Sequence, residues 1–148
     1  IDLLGFLRDQ PWAPGLDHWS LQERLQEFDQ RQRHDGGEVA AAVVVVTSTS
    51  TDVAIAGNVR VTTYASGASE VMPITHSAFR LGTTVAAVHA YSVPEPEWVL
   101  VATDGAHPVL ERFARSSPDD VDQVRATWQA VVPREGDDAT LVALRAGG

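Results

Sequence analysis

The chain has 148 residues, of which 44% are hydrophobic and 21% charged, as expected for one soluble globular domain with a substantial core. Cysteine is absent and every basic residue is arginine, which excludes disulfides, thiolate metal sites, a lysine nucleophile and a P-loop lysine. The net charge of −9 argues against nucleic acid as a partner. The longest apolar run, Val39 to Val46, is too short for a membrane span, and no signal-peptide pattern occurs, so we expect a single cytoplasmic domain over residues 1–148.

The N-terminal part of the sequence predicts two helices. An apolar cluster opens residues 1–19, and the prolines and glycine that follow it predict a short helix and then a loop. Ser20 and Glu23 form a capping box, which predicts a helix over residues 20–33. The buried stripe of this helix is predicted to be Leu21, Leu25 and Phe28.

From Glu38 to Thr103 the hydrophobic pattern is typical of strands. The continuous apolar stretch Val39–Thr47 predicts a strand buried on both faces, followed by a turn at residues 47–51. Alternation then predicts two strands around Val53 and Val61, a hairpin loop at residues 65–69, and three further strands at 70–74, 83–93 and 97–103. Because no helical crossover separates these strands, the sequence predicts an antiparallel meander.

The C-terminal part returns to the helical period and ends in a strand. Pro108 and the apolar positions after it predict a short helix, and Ser117, as N-cap before Pro118, predicts the start of another. The stripe of that second helix is predicted to be Val121, Val124, Trp128 and Val131. Residues 139–145 predict a last, central strand. The order of elements indicates an α+β domain in which antiparallel β-sheets are flanked by helices.

Two acidic positions are candidates for metal binding. Asp104 follows the strand at 97–103, and Asp137 precedes the last strand. If these two strands are neighbours, the two carboxylates approach each other at one edge of the sheet and offer the oxygen ligands that a hard divalent ion prefers. The alternative is that Asp104-Gly105 and Gly136-Asp137 are ordinary turn sequences. His107 is a weaker candidate ligand.

The same two segments carry a resemblance to a known family. Thr103-Asp104-Gly105 and Asp137-Asp138-Ala139-Thr140 resemble, in order and spacing, the [ST]-D-G and D-[ND]-x-T motifs of metal-dependent, type-2C-like protein serine/threonine phosphatases. Upstream, Gly57-Asn58-Val59-Arg60 resembles the family's G-D-S-R, and residues 72–82 keep parts of a D-H-S and L-G segment. The resemblance covers roughly residues 20–145.

The resemblance implies a fold, a cofactor and a role for two residues. The fold would be the family's αββα sandwich, incomplete if part of the domain lies outside this sequence. Asp104 and Asp137 would each bind a metal of a two-metal centre, with Mg²⁺ or Mn²⁺ as cofactor and a metal-bound water as the attacking group. The family's early Asp and D-G-x-G-G motif have no counterpart here, and Asn58 replaces an aspartate.

Three functions therefore remain open on sequence grounds. The first is a phosphatase-related module with little or no activity that binds a protein or phosphoprotein partner. The second is an active phosphatase whose remaining metal ligands lie upstream of Ile1, and the third is a non-enzymatic scaffold subunit. If the first half of the sheet is absent, an unpaired strand edge would favour a homo-oligomer or a strand from a partner.

Overall fold

The computed structural model describes residues 3–9, 18–47, 50–65, 81, 88–94, 96–132 and 138–145. In chain order its elements are α1 (Leu3–Asp9), α2 (His18–Asp35), β1 (Ala41–Val46), β2 (Ser50–Ala56), β3 (Arg60–Ala65), β4 (His89–Pro94), β5 (Pro96–Ala102), a 3₁₀ turn (Asp104–Ala106), α3 (His107–Arg112), α4 (Val121–Val131) and β6 (Leu141–Arg145). None of these helices has the length and apolar character needed to cross a membrane. The predicted strand at 70–74 and its hairpin loop lie outside the described residues.

The chain divides into two compact units, each with one described sheet. The first unit contains α1, α2 and most of a sheet with the strand order β1-β2-β4. The second contains α3, α4 and a sheet with the order β3-β5-β6. Because the chain divides into two compact units, the single domain over residues 1–148 remains a prediction.

In the first unit, α2 packs its predicted stripe into the core. Leu21, Leu25 and Phe28 are all fully buried, and Phe28 contacts the Phe6 ring of α1 at a centroid distance of 5.6 Å. The helix is therefore confirmed, but it begins at His18, so Ser20 lies inside it and the predicted N-cap is wrong. The sequence contains several polar residues at this boundary, and the capping box alone does not select between them.

The prediction that β1 is buried on both faces is wrong. Only Ala41 is buried, the next four residues are half-buried, and Val46 is exposed. The strand lies at the end of the described order β1-β2-β4, whereas β2 lies between two neighbours and is almost entirely buried. Position in the sheet, which a run of valines does not reveal, accounts for the difference.

In the second unit, β5 is the middle strand and is antiparallel to both neighbours. Its register opposes Val101 to Val61 of β3 and to Val142 of β6. One face of this sheet packs against the 3₁₀ turn, α3 and α4 in a single hydrophobic cluster. The buried members of this cluster are Tyr64, Trp98, Leu100, Ala102, Ala106, Val109, Leu110, Phe113 and Val124.

The antiparallel pairing is confirmed for β3-β5-β6, but the predicted meander from β4 into β5 is wrong. The two strands follow each other through Glu95 yet belong to different sheets. Pro94 and Pro96 flank this connection, and neither has a backbone N–H to continue a ladder of hydrogen bonds. The chain also changes sheet between β2 and β3, where Gly57 has a φ of 84°, a value that an L side chain rarely adopts.

Two further predictions at the C-terminal end are corrected. The N-cap of α4 is Asp120, whose side chain accepts a hydrogen bond from the Gln123 N–H at 2.8 Å, and not Ser117. Val121 of the predicted stripe, the first residue of α4, is exposed, whereas Val124 is buried. The last strand is confirmed as β6, but it is the outermost strand of the described sheet and not a central one.

A buried phenol joins β3 to the end of α3. The Tyr64 hydroxyl donates a 2.7 Å hydrogen bond to the carbonyl of Phe113, the residue that follows the last turn of α3. Burial raises the pKa of Tyr64 to about 12, although a hydrogen bond with Thr62 acts in the opposite direction. The neutral phenol is therefore the form that the folded protein stabilises.

We expect this contact to make the protein less stable at high pH. Since the folded pKa is raised from 10.0 to about 12, the folded state holds the proton more tightly than the unfolded state. The stability from this group is therefore complete below pH 10 and is lost as the pH rises through 12. Urea unfolding at stepped pH should show a loss of about 1–2 kcal/mol across this window.

Tyr64→Phe is the matched control. It keeps the ring but removes the hydrogen bond to Phe113, so it should lower the free energy of unfolding at neutral pH by about 1 kcal/mol. It should also flatten the decline above pH 10. An equally steep decline in the variant would assign the pH dependence to another group.

Candidate functional site

Three strand ends meet at one edge of the second sheet. The register opposes Arg60, the first residue of β3, to Ala102 at the end of β5, and Ala102 to Leu141 at the start of β6. The segment after β5, which contains Asp104, therefore leaves the sheet beside the segment that leads into β6. The strands β5 and β6 are therefore neighbours, as the prediction of two adjacent carboxylates required.

Hydrogen bonds between two threonines, Thr103 and Thr140, connect these segments just beyond the Ala102–Leu141 pair of β5 and β6. The Thr103 N–H donates to the Thr140 carbonyl at 3.0 Å, and the Thr140 N–H donates to the Thr103 hydroxyl oxygen at 2.9 Å. The Thr103 hydroxyl also lies 3.4 Å from the Thr140 carbonyl. These bonds extend the β5–β6 ladder by one step and fix where the chain turns into Asp104.

Asp104 is the first residue of the 3₁₀ turn and faces His107 at the start of α3. Its carboxylate is 50% exposed, and its Oδ1 lies 3.6 Å from Nε2 of His107, whose side chain is 17% exposed. The spacing of three residues places both side chains on one side of the turn. The structure therefore gives the carboxylate a partner within the chain that can bear a positive charge.

An ion pair between Arg60 and Glu111 also lies at this edge. Nη1 of Arg60 donates to Oε1 of Glu111 on α3 at 3.2 Å. Arg60 comes from the segment that resembles G-D-S-R, and the half-exposed Asn58 lies two residues before it. Sequence reasoning did not single out Glu111, since nothing in the pattern of α3 distinguishes it from other exposed polar residues of a short helix.

The described residues alone do not fit a two-metal centre. Within the described ranges, no group of three or more His, Asp or Glu lies close enough together to hold a metal ion. Asp137 falls outside those ranges, and Asp138 is exposed in the segment before β6. Metal binding by Asp104 and Asp137 therefore stays a prediction.

Solved structures of bacterial phosphatases share this fold. Serine/threonine phosphatase Stp1 from Staphylococcus aureus aligns over 98% of this chain and 74% of its own, with a TM-score of 0.71 and 12% identity. PppA, a key regulatory component of the T6SS in Pseudomonas aeruginosa, aligns over 95% and 75%, with a TM-score of 0.68 and 15% identity. A bacterial serine phosphatase aligns over 92% and 72%, with a TM-score of 0.66 and 11% identity.

No protein-family profile matches the sequence, and no curated protein matches it. At identities of 11–15%, the structural likeness establishes the fold alone. The chain has an α+β fold with antiparallel sheets flanked by helices, and it resembles the type-2C-like protein serine/threonine phosphatases, as the sequence motifs predicted.

The threonine pair gives a test of how the edge is held. Thr103→Val keeps the shape and branching of the side chain but removes its hydroxyl, which leaves the Thr140 N–H without its acceptor. We expect the free energy of unfolding to fall by about 1 kcal/mol and the Thr140 amide to exchange faster with solvent. Thr103→Ser, which retains the hydroxyl, should lose less than half as much. Equal losses in both variants would show that the methyl group, and not the hydrogen bond, matters here.

Proposed function

We propose that this chain is a phosphatase-fold module that binds a protein or phosphoprotein partner and has little or no phosphatase activity of its own. The observation that carries the proposal is the internal pairing of side chains at the sheet edge, where Asp104 faces His107 and Arg60 forms an ion pair with Glu111. A carboxylate that serves a divalent ion must offer its oxygens to that ion, whereas Oδ1 of Asp104 already lies within ion-pair distance of an imidazole.

The substitution at Asn58 supports the same proposal. The resembled phosphatases are generally Mg²⁺- or Mn²⁺-dependent, and their G-D-S-R motif has an aspartate where this chain has Asn58. A domain that keeps the sheets and helices but has lost part of the family's motifs is suited to recognition rather than hydrolysis.

An active metal-dependent phosphatase is the second candidate, and one observation favours it. Asp104 remains half-exposed at a rigid strand end, and the Thr103–Thr140 hydrogen bonds hold the segment before β6 beside it. Asp104 and Asp137 would then each contribute a carboxylate to a Mg²⁺ or Mn²⁺ site completed by other ligands. This candidate and the first differ in whether Asp104 contributes to turnover.

Hydrolysis of p-nitrophenyl phosphate in Mn²⁺ separates the two candidates. For a binding module, we expect the intact chain and Asp104→Asn to have the same rate, close to that of Mn²⁺ in buffer. For an active phosphatase, the intact chain should exceed this background, and Asp104→Asn should lower the rate at least about tenfold, because even groups behind the metal ligands commonly contribute that much. Stp1 from Staphylococcus aureus, assayed in the same buffer, confirms that the conditions support hydrolysis.

A further inference from the structure

The outer edge of β6 is a candidate docking surface. The described sheet runs β3-β5-β6, and no described strand pairs with the side of β6 that faces away from β5. In an antiparallel sheet, backbone N–H and C=O groups on such a side point outward and can pair with an added strand. We call residues 141–145, on this side, the β6 edge.

The two faces of β6 differ in how well they are covered. Leu141 and Ala143 are partly buried against the hydrophobic cluster formed with α3 and α4. Val142 and Leu144 point to the opposite face and are 45% and 37% exposed. Exposed large apolar side chains at alternate positions of an outermost strand are a liability in a monomer unless another chain covers them.

On that opposite face, side chains that neighbour each other across the strands form rows from β3 through β5 to β6. Along each row the side chains become more exposed towards β6. In one row Val61 is fully buried, Val101 is half-buried and Val142 is exposed. In the other, Val99 is fully buried and its neighbour Leu144 is exposed. The apolar layer therefore extends beyond the part of the sheet that is covered, and one more strand beside β6 would complete it.

The net charge of the chain favours one kind of partner for the β6 edge. The chain carries a net charge of −9, which opposes pairing with a second copy and favours a basic partner. At one end of the β6 edge Asp138 is exposed, and at the other the Arg145 guanidinium lies over the Trp98 ring at 5.5 Å. Arg145 shares the face of Trp98, which is opposite to that of Val142 and Leu144, so its charge does not lie on the face that the added strand would cover.

We propose that the β6 edge binds an extended, net-basic segment of another protein, which adds to the sheet as a strand. Its apolar side chains alternate so that they cover Val142 and Leu144, and a basic residue lies near Asp138. Backbone hydrogen bonds supply affinity, and the alternating side chains supply selectivity. The inference rests on the proposed partner-binding function and names the surface that performs it.

A short fluorescent peptide tests the proposal. In this peptide valine alternates with threonine between terminal arginines, and binding to the intact chain is followed by fluorescence anisotropy. We expect saturable binding that Val142→Lys weakens at least about tenfold, because the lysine places a charge where the added strand must pack. Leu144→Lys provides a second variant on the same face, and thermal unfolding confirms that each variant folds.

Val46→Lys is the matched control. Val46 is 51% exposed and also lies on an outermost described strand, so the change in chemistry and net charge is the same as in Val142→Lys. It should bind the peptide as the unchanged chain does. A peptide with terminal glutamates should bind at least about tenfold more weakly than the arginine peptide.

Three results would overturn the inference. These are the absence of saturable binding, equal binding by Val142→Lys, and equal weakening by Val46→Lys. Sedimentation equilibrium adds a fourth, since a dimer that Val142→Lys dissociates would make a second copy the occupant. Phosphatase activity that depends on Asp104 would instead contradict the proposed function and leave the peptide result standing, so the two failures are distinguishable.

Discussion

The position of β5 between β3 and β6 is the constraint on which the second unit depends. Four of its residues are fully buried, and its two neighbours are held in a defined antiparallel register. Because side chains alternate across a strand, a slip of one residue would exchange Trp98 and Leu100 for Val99 and Val101 on the face that α3 and α4 cover. The same register determines which strand ends meet, and hence where Asp104 emerges.

Local patterns in the sequence predicted most individual elements. The stripe of α2, the positions of β2 and β3 and the apolar face of α3 each depend on residues a few positions apart, and each is confirmed, although burial does not alternate along β2. The two predicted N-caps, Ser20 and Ser117, are wrong because more than one polar residue near a helix start can serve as N-cap; α4, for example, is capped by Asp120. The predicted pairing of β4 with β5 is also wrong, since membership of a sheet depends on residues far away in the chain, whereas the expected neighbourhood of β5 and β6 is confirmed.

The candidate site shows the same difference between local motifs, which the sequence reveals, and long-range contacts, which it does not. The Thr103-Asp104-Gly105 motif located one strand end, and its resemblance to type-2C-like phosphatases anticipated a fold shared with Stp1 and PppA at only 12% and 15% identity. The partners of the charged residues could not be anticipated. The ion pair between Arg60 and Glu111 joins residues 51 positions apart and exists only when α3 packs on the sheet. This ion pair can be identified only in the packed structure, because a sequence motif indicates where a residue lies along the backbone but not which distant residue it contacts.

The distribution of consecutive strands between two sheets has a consequence for how the chain folds. β2 finds its partner β4, and β3 finds β5, only after roughly 30 intervening residues, and β6 comes about 40 residues after β5. Of the described strand pairs, only β1 with β2 can close as a local hairpin. Contacts of such sequence separation slow folding, because the entropy of a long loop must be lost before pairing can offset it. A nascent chain that ends before residue 89 therefore contains β2 and β3 while their partners β4 and β5 are not yet synthesised, and during that interval their unpaired edges are open to incorrect pairing.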